Sequence, residues 1–93
     1  MLFMVMSQPQ PGRPTELRGV QAGFWDWLKP LEANGTVKAC YVPAGRGAIV
    51  VFDVDSHETL HRLVNEWSDC VPARHTIIPL VDRAFQERRA RGK

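Results

Sequence analysis

Cysteine is scarce in this chain. Cys40 and Cys70 are too few for a disulfide framework and lack metal-ligand spacing. That fits a cytoplasmic protein with reduced thiols. Long apolar runs are also missing, and nothing approaches the length needed to cross a bilayer, so a membrane protein is excluded from the reading. Met1 to Met6 is apolar but has neither a basic flank nor a cleavage site, and it is not read as a leader. Charge of one sign is lacking overall: the net charge is only +2. It is unevenly placed, however. The last eleven residues hold Arg83, Arg88, Arg89, Arg91 and Lys93 against Glu87, a local +4, so residues 1–82 carry −2. No aromatic residue lies beyond Phe85 to stack on bases, so the basic end reads as a solvated tail and no nucleic-acid partner is expected. There is no repeat of solenoid type.

What is present is enough for one domain. Ninety-three residues, 44% hydrophobic and 24% charged, describe a folded chain and not a disordered one. The division expected is a body over 1–82 and a basic tail over 83–93. A chain this small buries a thin core, and oligomerisation is a natural remedy.

The local patterns give six main elements. Leu2 to Met6 is a short strand, ended by Ser7 and the Pro9, Pro11 and Gly12 that follow. Pro14-Thr15 opens a helix, with Glu16 favourable in its first turn. Leu17, Val20, Phe24, Leu28 and Leu31 form its apolar stripe, with Trp27 on the flank and Asp26 on the opposite side. Pro30 predicts a kink in the last turn, and Asn34-Gly35 a left-handed cap. Thr36 to Val42 reads as a strand with Val37, Ala39 and Tyr41 on one face. After the Pro43 to Gly47 turn, the apolar run Ala48 to Val54 predicts a central strand covered on both faces. Ser56 caps a second helix whose inward stripe is Leu60, Leu63, Val64 and Trp67. Arg74 to Val81 is the last strand, and Phe85 to Arg91 a frayed helix.

The order β-α-β-β-α-β predicts a ferredoxin-like α+β fold: a four-stranded antiparallel sheet with two helices on one face. The other face of such apolar strands must meet something. A second copy of the chain, sheet against sheet, is the simplest partner, giving a homodimer or a larger ring.

Several short motifs, Met1-Leu2-Phe3 with Val5, Leu31, Gly35-Thr36, Ala44-Gly45, Val51-Phe52-Asp53-Val54 with Ser56, Glu58 and Leu60-His61, and Pro72, together resemble the muconolactone isomerase-like family. The similarity spans most of residues 1–81. It implies a dimeric α/β barrel without metal or organic cofactor that moves protons on an unsaturated lactone or an aromatic, polyketide-like substrate. Relatives carry a glutamate on the inward face of the first helix. Counting back from Gly35 puts Phe24 there, and phenylalanine cannot transfer a proton. The turn after Ala44-Gly45, polar and aromatic in the isomerases, reads Arg46-Gly47-Ala48-Ile49 here and is one residue shorter. Met4 stands where a polar residue often follows the opening Leu-Phe.

The expected chemistry therefore falls on other residues. His75 shares a strand face with Ile77 and Pro79 and is the obvious proton shuttle near neutral pH. Tyr41 could orient a carbonyl or donate a proton; otherwise it is a core tyrosine with its hydroxyl on backbone. His61 matches a family residue at the edge of the buried stripe. His57 and His61 lie four apart, but no third ligand follows at metal spacing, and no metal is expected. Arg46, between two glycines, could clamp a carboxylate; otherwise it is an exposed turn residue. Phe24, Trp27 and Trp67 are the aromatic residues expected to line a substrate pocket, and Trp25 is expected to face a partner. The leading function is an isomerase or cyclase in which Tyr41 and His75 share proton transfer. The alternatives are a cofactor-free monooxygenase of the dimeric α/β-barrel kind and a non-catalytic small-molecule-binding or assembly module.

Overall fold

The computed structural model of the chain describes residues 1–9 and 18–92, the side chains of 18–21 excepted. The expected helix start at Pro14-Thr15, with Glu16 and Leu17, lies outside the described residues, as does the side chain of Val20. The elements are β1 (Leu2–Pro9), α1 (Arg18–Ala33), β2 (Val37–Tyr41), β3 (Ala48–Asp53), α2 (His57–Cys70), β4 (Ala73–Leu80) and α3 (Arg83–Ala90).

The four strands form one sheet in the order β2-β3-β1-β4, and every neighbouring pair is antiparallel. This is the ferredoxin-like arrangement that the element order predicts. Alternation decides which side chains meet the helices. In β1, Phe3, Val5 and Ser7 are buried, and their partners in β3 are Phe52, Val50 and Ala48. Partners across an antiparallel pair share a face. The apolar ones, Phe3, Val5, Ala48, Val50 and Phe52, join Phe24, Leu28, Leu60, Leu63 and Trp67 of the helices in one core. Burial of these large side chains supplies the main driving force for folding.

The helix termini follow from local chemistry. Ser56 lies in extended backbone, and its hydroxyl accepts from the Thr59 N–H at 3.1 Å. Glu58 sits in the first turn of α2, where the helix dipole favours an acid. At the end of α1, Gly35 takes the left-handed conformation (φ 84°), and the Asn34 side chain accepts from the Thr36 N–H at 2.9 Å. The kink predicted at Pro30 does not end the helix. Pro30 lies inside α1, and its carbonyl accepts from Asn34 N–H at 3.1 Å.

Three strand assignments change. β1 continues past Met6 to Pro9 because it is paired along its whole length with β4. β3 is central in the sheet but covered on one face only: Ile49 and Val51 alternate with the buried Ala48, Val50 and Phe52 and are only half-buried. β2 carries a register shift between Val37 and Ala39. An extra residue inverts the facing of all that follows it. Tyr41 therefore pairs with Ile49, on the open face, and is 69% exposed. The expectation that it shares a face with Val37 is corrected by that bulge. The C-terminal segment expected as a frayed helix is α3, and none of its residues is buried. The radius of gyration, 15.0 Å, exceeds the roughly 12 Å of a compact chain of this length.

Candidate functional site

A cavity of about 340 Å³ opens at the end of the sheet where β1 finishes and β3 begins. Phe24 and Trp25 of α1 form one wall, and Trp67 and Val71 at the end of α2 form another. Ser7 supplies the floor, and the Gly45-Arg46-Gly47 turn supplies the rim. This is the size and character of a small-molecule site: mostly apolar, with a few polar groups.

Each wall has a local cause. Ser7 points inward because the period of two that buries Phe3 and Val5 continues one step further; it is 6% exposed. Trp67 is the last buried residue of the α2 stripe, one turn beyond Leu63, and is 1% exposed. Its ring lies 5.2 Å from that of Phe24. The rim turn passes close to β1. Gly47 has φ 106°, and a Cβ there would collide with the Ser7 carbonyl oxygen. Only glycine permits that approach, so the position of Arg46 over the cavity depends on Gly47.

His75 stands directly across the β1–β4 ladder from Ser7. It meets Trp67 edge to face at 4.7 Å. Two of the groups it adjoins thus line the cavity. Its Nε2 is buried and has no hydrogen-bond partner among the described residues. Burial pushes the imidazole below its ordinary pKa, so it is held neutral, with a lone pair able to take a proton. A buried polar atom without a partner is costly unless something fills its site.

The expected site residues divide. Arg46, Phe24 and Trp67 line the cavity, whereas His75 is absent from the lining and adjoins it through Ser7 and Trp67. Trp27 does not line it; its ring sits behind, 5.9 Å from Phe24 and 6.3 Å from Trp67. Tyr41 is on the opposite sheet face, so it and His75 do not share a cavity. His61 is exposed on α2. His57 is exposed as well, edge-on to Phe3 at 5.7 Å. Ser7 and Trp25 were not among the expected site residues. The signal for Ser7 was its place in the Phe3, Val5 alternation, hidden by the prolines that follow it.

Among the described residues no three His, Cys, Asp or Glu side chains gather as a metal site. No described helix is long and apolar enough to cross a membrane. The two cysteines are free, and burial raises both thiols, the opposite of activation.

Comparison with known proteins gives three findings. A family model described as a domain of unknown function, DUF3303, matches residues 1–87. No protein of curated function matches the sequence. Several solved structures share the fold, and two of them carry informative names. One is 5-chloro-2-hydroxyhydroquinone dehydrochlorinase from Burkholderia phenoliruptrix AC1100 in complex with 2,5-dihydroxybenzoquinone, with TM-score 0.72 and 16% identity over 91% of this chain and 98% of that one. The other is muconolactone isomerase, with TM-score 0.61 and 24% identity over 89% of this chain and 91% of that one. The fold implied by the sequence resemblance is the fold found.

Proposed function

The chain belongs to the DUF3303 family, a domain of unknown function, and we propose that it is a cofactor-free small-molecule isomerase or cyclase working by proton transfer on an unsaturated lactone or an aromatic, polyketide-like substrate. The observation that carries this reading is the buried, unpartnered Nε2 of His75 beside the aromatic cavity. In this reading a flat substrate lies in the cavity against the edge of the packed Phe24 and Trp67 pair. His75 takes a proton from the carbon next to a carbonyl and returns it at another carbon of the same conjugated system. The atoms balance, and no oxidant or metal is required. The Ser7 hydroxyl donates to the oxygen on which charge develops, and Arg46 holds an acidic group of the substrate. The two structural neighbours, an isomerase and a dehydrochlorinase, are named for small-molecule reactions, and the second holds a hydroxylated quinone.

A second reading is a non-catalytic small-molecule-binding module. It is favoured by the lining itself: among the described residues it contains no carboxylate, and Phe24 occupies the place where relatives are expected to carry an acid.

One experiment separates the two. The protein is incubated in D₂O with a five-membered β,γ-unsaturated lactone acid, and exchange at the acidic carbon is followed by NMR. Protein-dependent exchange that falls at least a hundredfold in His75→Gln is the expected result, the usual order for loss of a positioned acid–base group (about 10²–10⁴). Binding of 2,5-dihydroxybenzoquinone without any exchange would select the binding module instead.

A further inference from the structure

We propose that Trp27 and Glu66 are positioning residues that set the width of the cavity by bracing α1 against α2; this rests on the reading of the cavity as the substrate site. The Trp27 indole N–H donates to Glu66 Oε1 at 2.9 Å, across 39 residues of chain. The other oxygen of the same carboxylate accepts from Arg62 Nη1 at 2.8 Å, one turn earlier on α2. One carboxylate therefore answers both donors, and both favour its ionised form.

The residues at each end of this bond adjoin the cavity walls. Trp27 lies three positions after Phe24, on the same side of α1. Glu66 precedes Trp67 on α2. The four residues between them thus tie the two aromatic walls together: the Trp27 ring is tilted against both Phe24 and Trp67, and Phe24 against Trp67 by 31°. Trp67 in turn meets His75. Apolar contact between two helices holds them together but is not directional, so it tolerates sliding. A directed hydrogen bond to a charged acceptor does not. Trp27 is thereby separated from its expected role: it acts on the cavity through Phe24 and Trp67, and it is absent from the lining.

The test uses four variants of the full chain: Trp27→Phe and Glu66→Leu, which remove the bond, and Glu66→Gln and Arg62→Ala, which keep an acceptor for the indole. Two quantities are read in each. The first is the NMR titration midpoint of His75, distinguished from His57 and His61 with His75→Gln. The second is the affinity for 2,5-dihydroxybenzoquinone. Melting temperature establishes that each variant is folded, and Trp27→Phe retains a packing ring.

In Trp27→Phe and Glu66→Leu the expected result is an upward shift of the His75 midpoint, as water reaches the imidazole, and about tenfold weaker quinone binding. Glu66→Gln and Arg62→Ala should stay near the parent in both. An unmoved His75 midpoint in Trp27→Phe overturns the proposal. So does a shift in Glu66→Gln or Arg62→Ala as large as that in Glu66→Leu, since charge and not the indole bond would then be responsible. If the parent does not bind the quinone but the midpoints move as expected, the brace stands and the choice of ligand class fails. If it binds and the variants bind equally well with unmoved midpoints, the brace fails and the substrate site stands.

Discussion

At the scale of the residue, His75 couples stability to pH. Its environment lowers its pKa through burial, so the folded chain resists taking a proton that the unfolded chain accepts readily. Where the unfolded state binds more protons, stability rises with pH. The contribution of His75 is therefore present above the ordinary imidazole pKa and is lost as pH falls from there toward its lowered value in the fold. Denaturant unfolding at a series of pH values should show stability decreasing on mild acidification, with a shallower slope in His75→Gln. A slope unchanged by that substitution would mean that the imidazole is hydrated in the fold. Trp67, at 1% exposure, is a structural anchor as well as a wall. Trp67→Ala should cost about 3–5 kcal/mol, read as a lower denaturation midpoint.

At the scale of the element, α2 owes its start to one side chain. The Ser56 hydroxyl satisfies the Thr59 N–H, and Thr59 Oγ1 donates in turn to Asp55 at 2.8 Å. Ser56→Ala should cost about 1 kcal/mol, a fall of roughly 4–8 °C in Tm for a domain of this size. The cap lies at the far end of α2 from Trp67 and Val71, so quinone affinity should hardly change. β1 plays a different part. It pairs with β3 on one side and β4 on the other, so one strand aligns the rim turn, Ser7 and His75. The cavity is in this sense a product of β1's two registers.

At the scale of the whole molecule, the sheet has one covered face and one open one. Met4 and Ile78 pair across it, Leu2 and Leu80 beside them, with Ile49, Val51 and Tyr41 on the neighbouring strands. A continuous apolar sheet face left in water is unusual for a monomer. The partner proposed for it is a second copy of the chain, sheet against sheet. Light scattering on the purified protein should give at least twice the mass of the 10.5 kDa chain. Ile78→Glu should lower that mass while leaving the cavity on the opposite face intact; a monomeric parent would reject this arrangement.

Much of this architecture was legible in the sequence because hydrophobic period and turn chemistry are local. The apolar runs of β1 and β3, the Leu60, Leu63, Trp67 stripe, the Ser56 cap and the shared face of His75, Ile77 and Pro79 each depend on a few neighbouring residues. Their agreement with one another fixed the ferredoxin-like order. What the local pattern could not carry is decided by pairing across long separations. A bulge between Val37 and Ala39 turned Tyr41 to the open face, and the backbone shift behind it has no side-chain signature. Ser7 and His75 became neighbours only through the β1–β4 register. Trp27 reached Glu66 only once both helices lay on the same sheet. Period tells a residue which side of its own element is apolar; only the packed sheet determines which residue stands beside it.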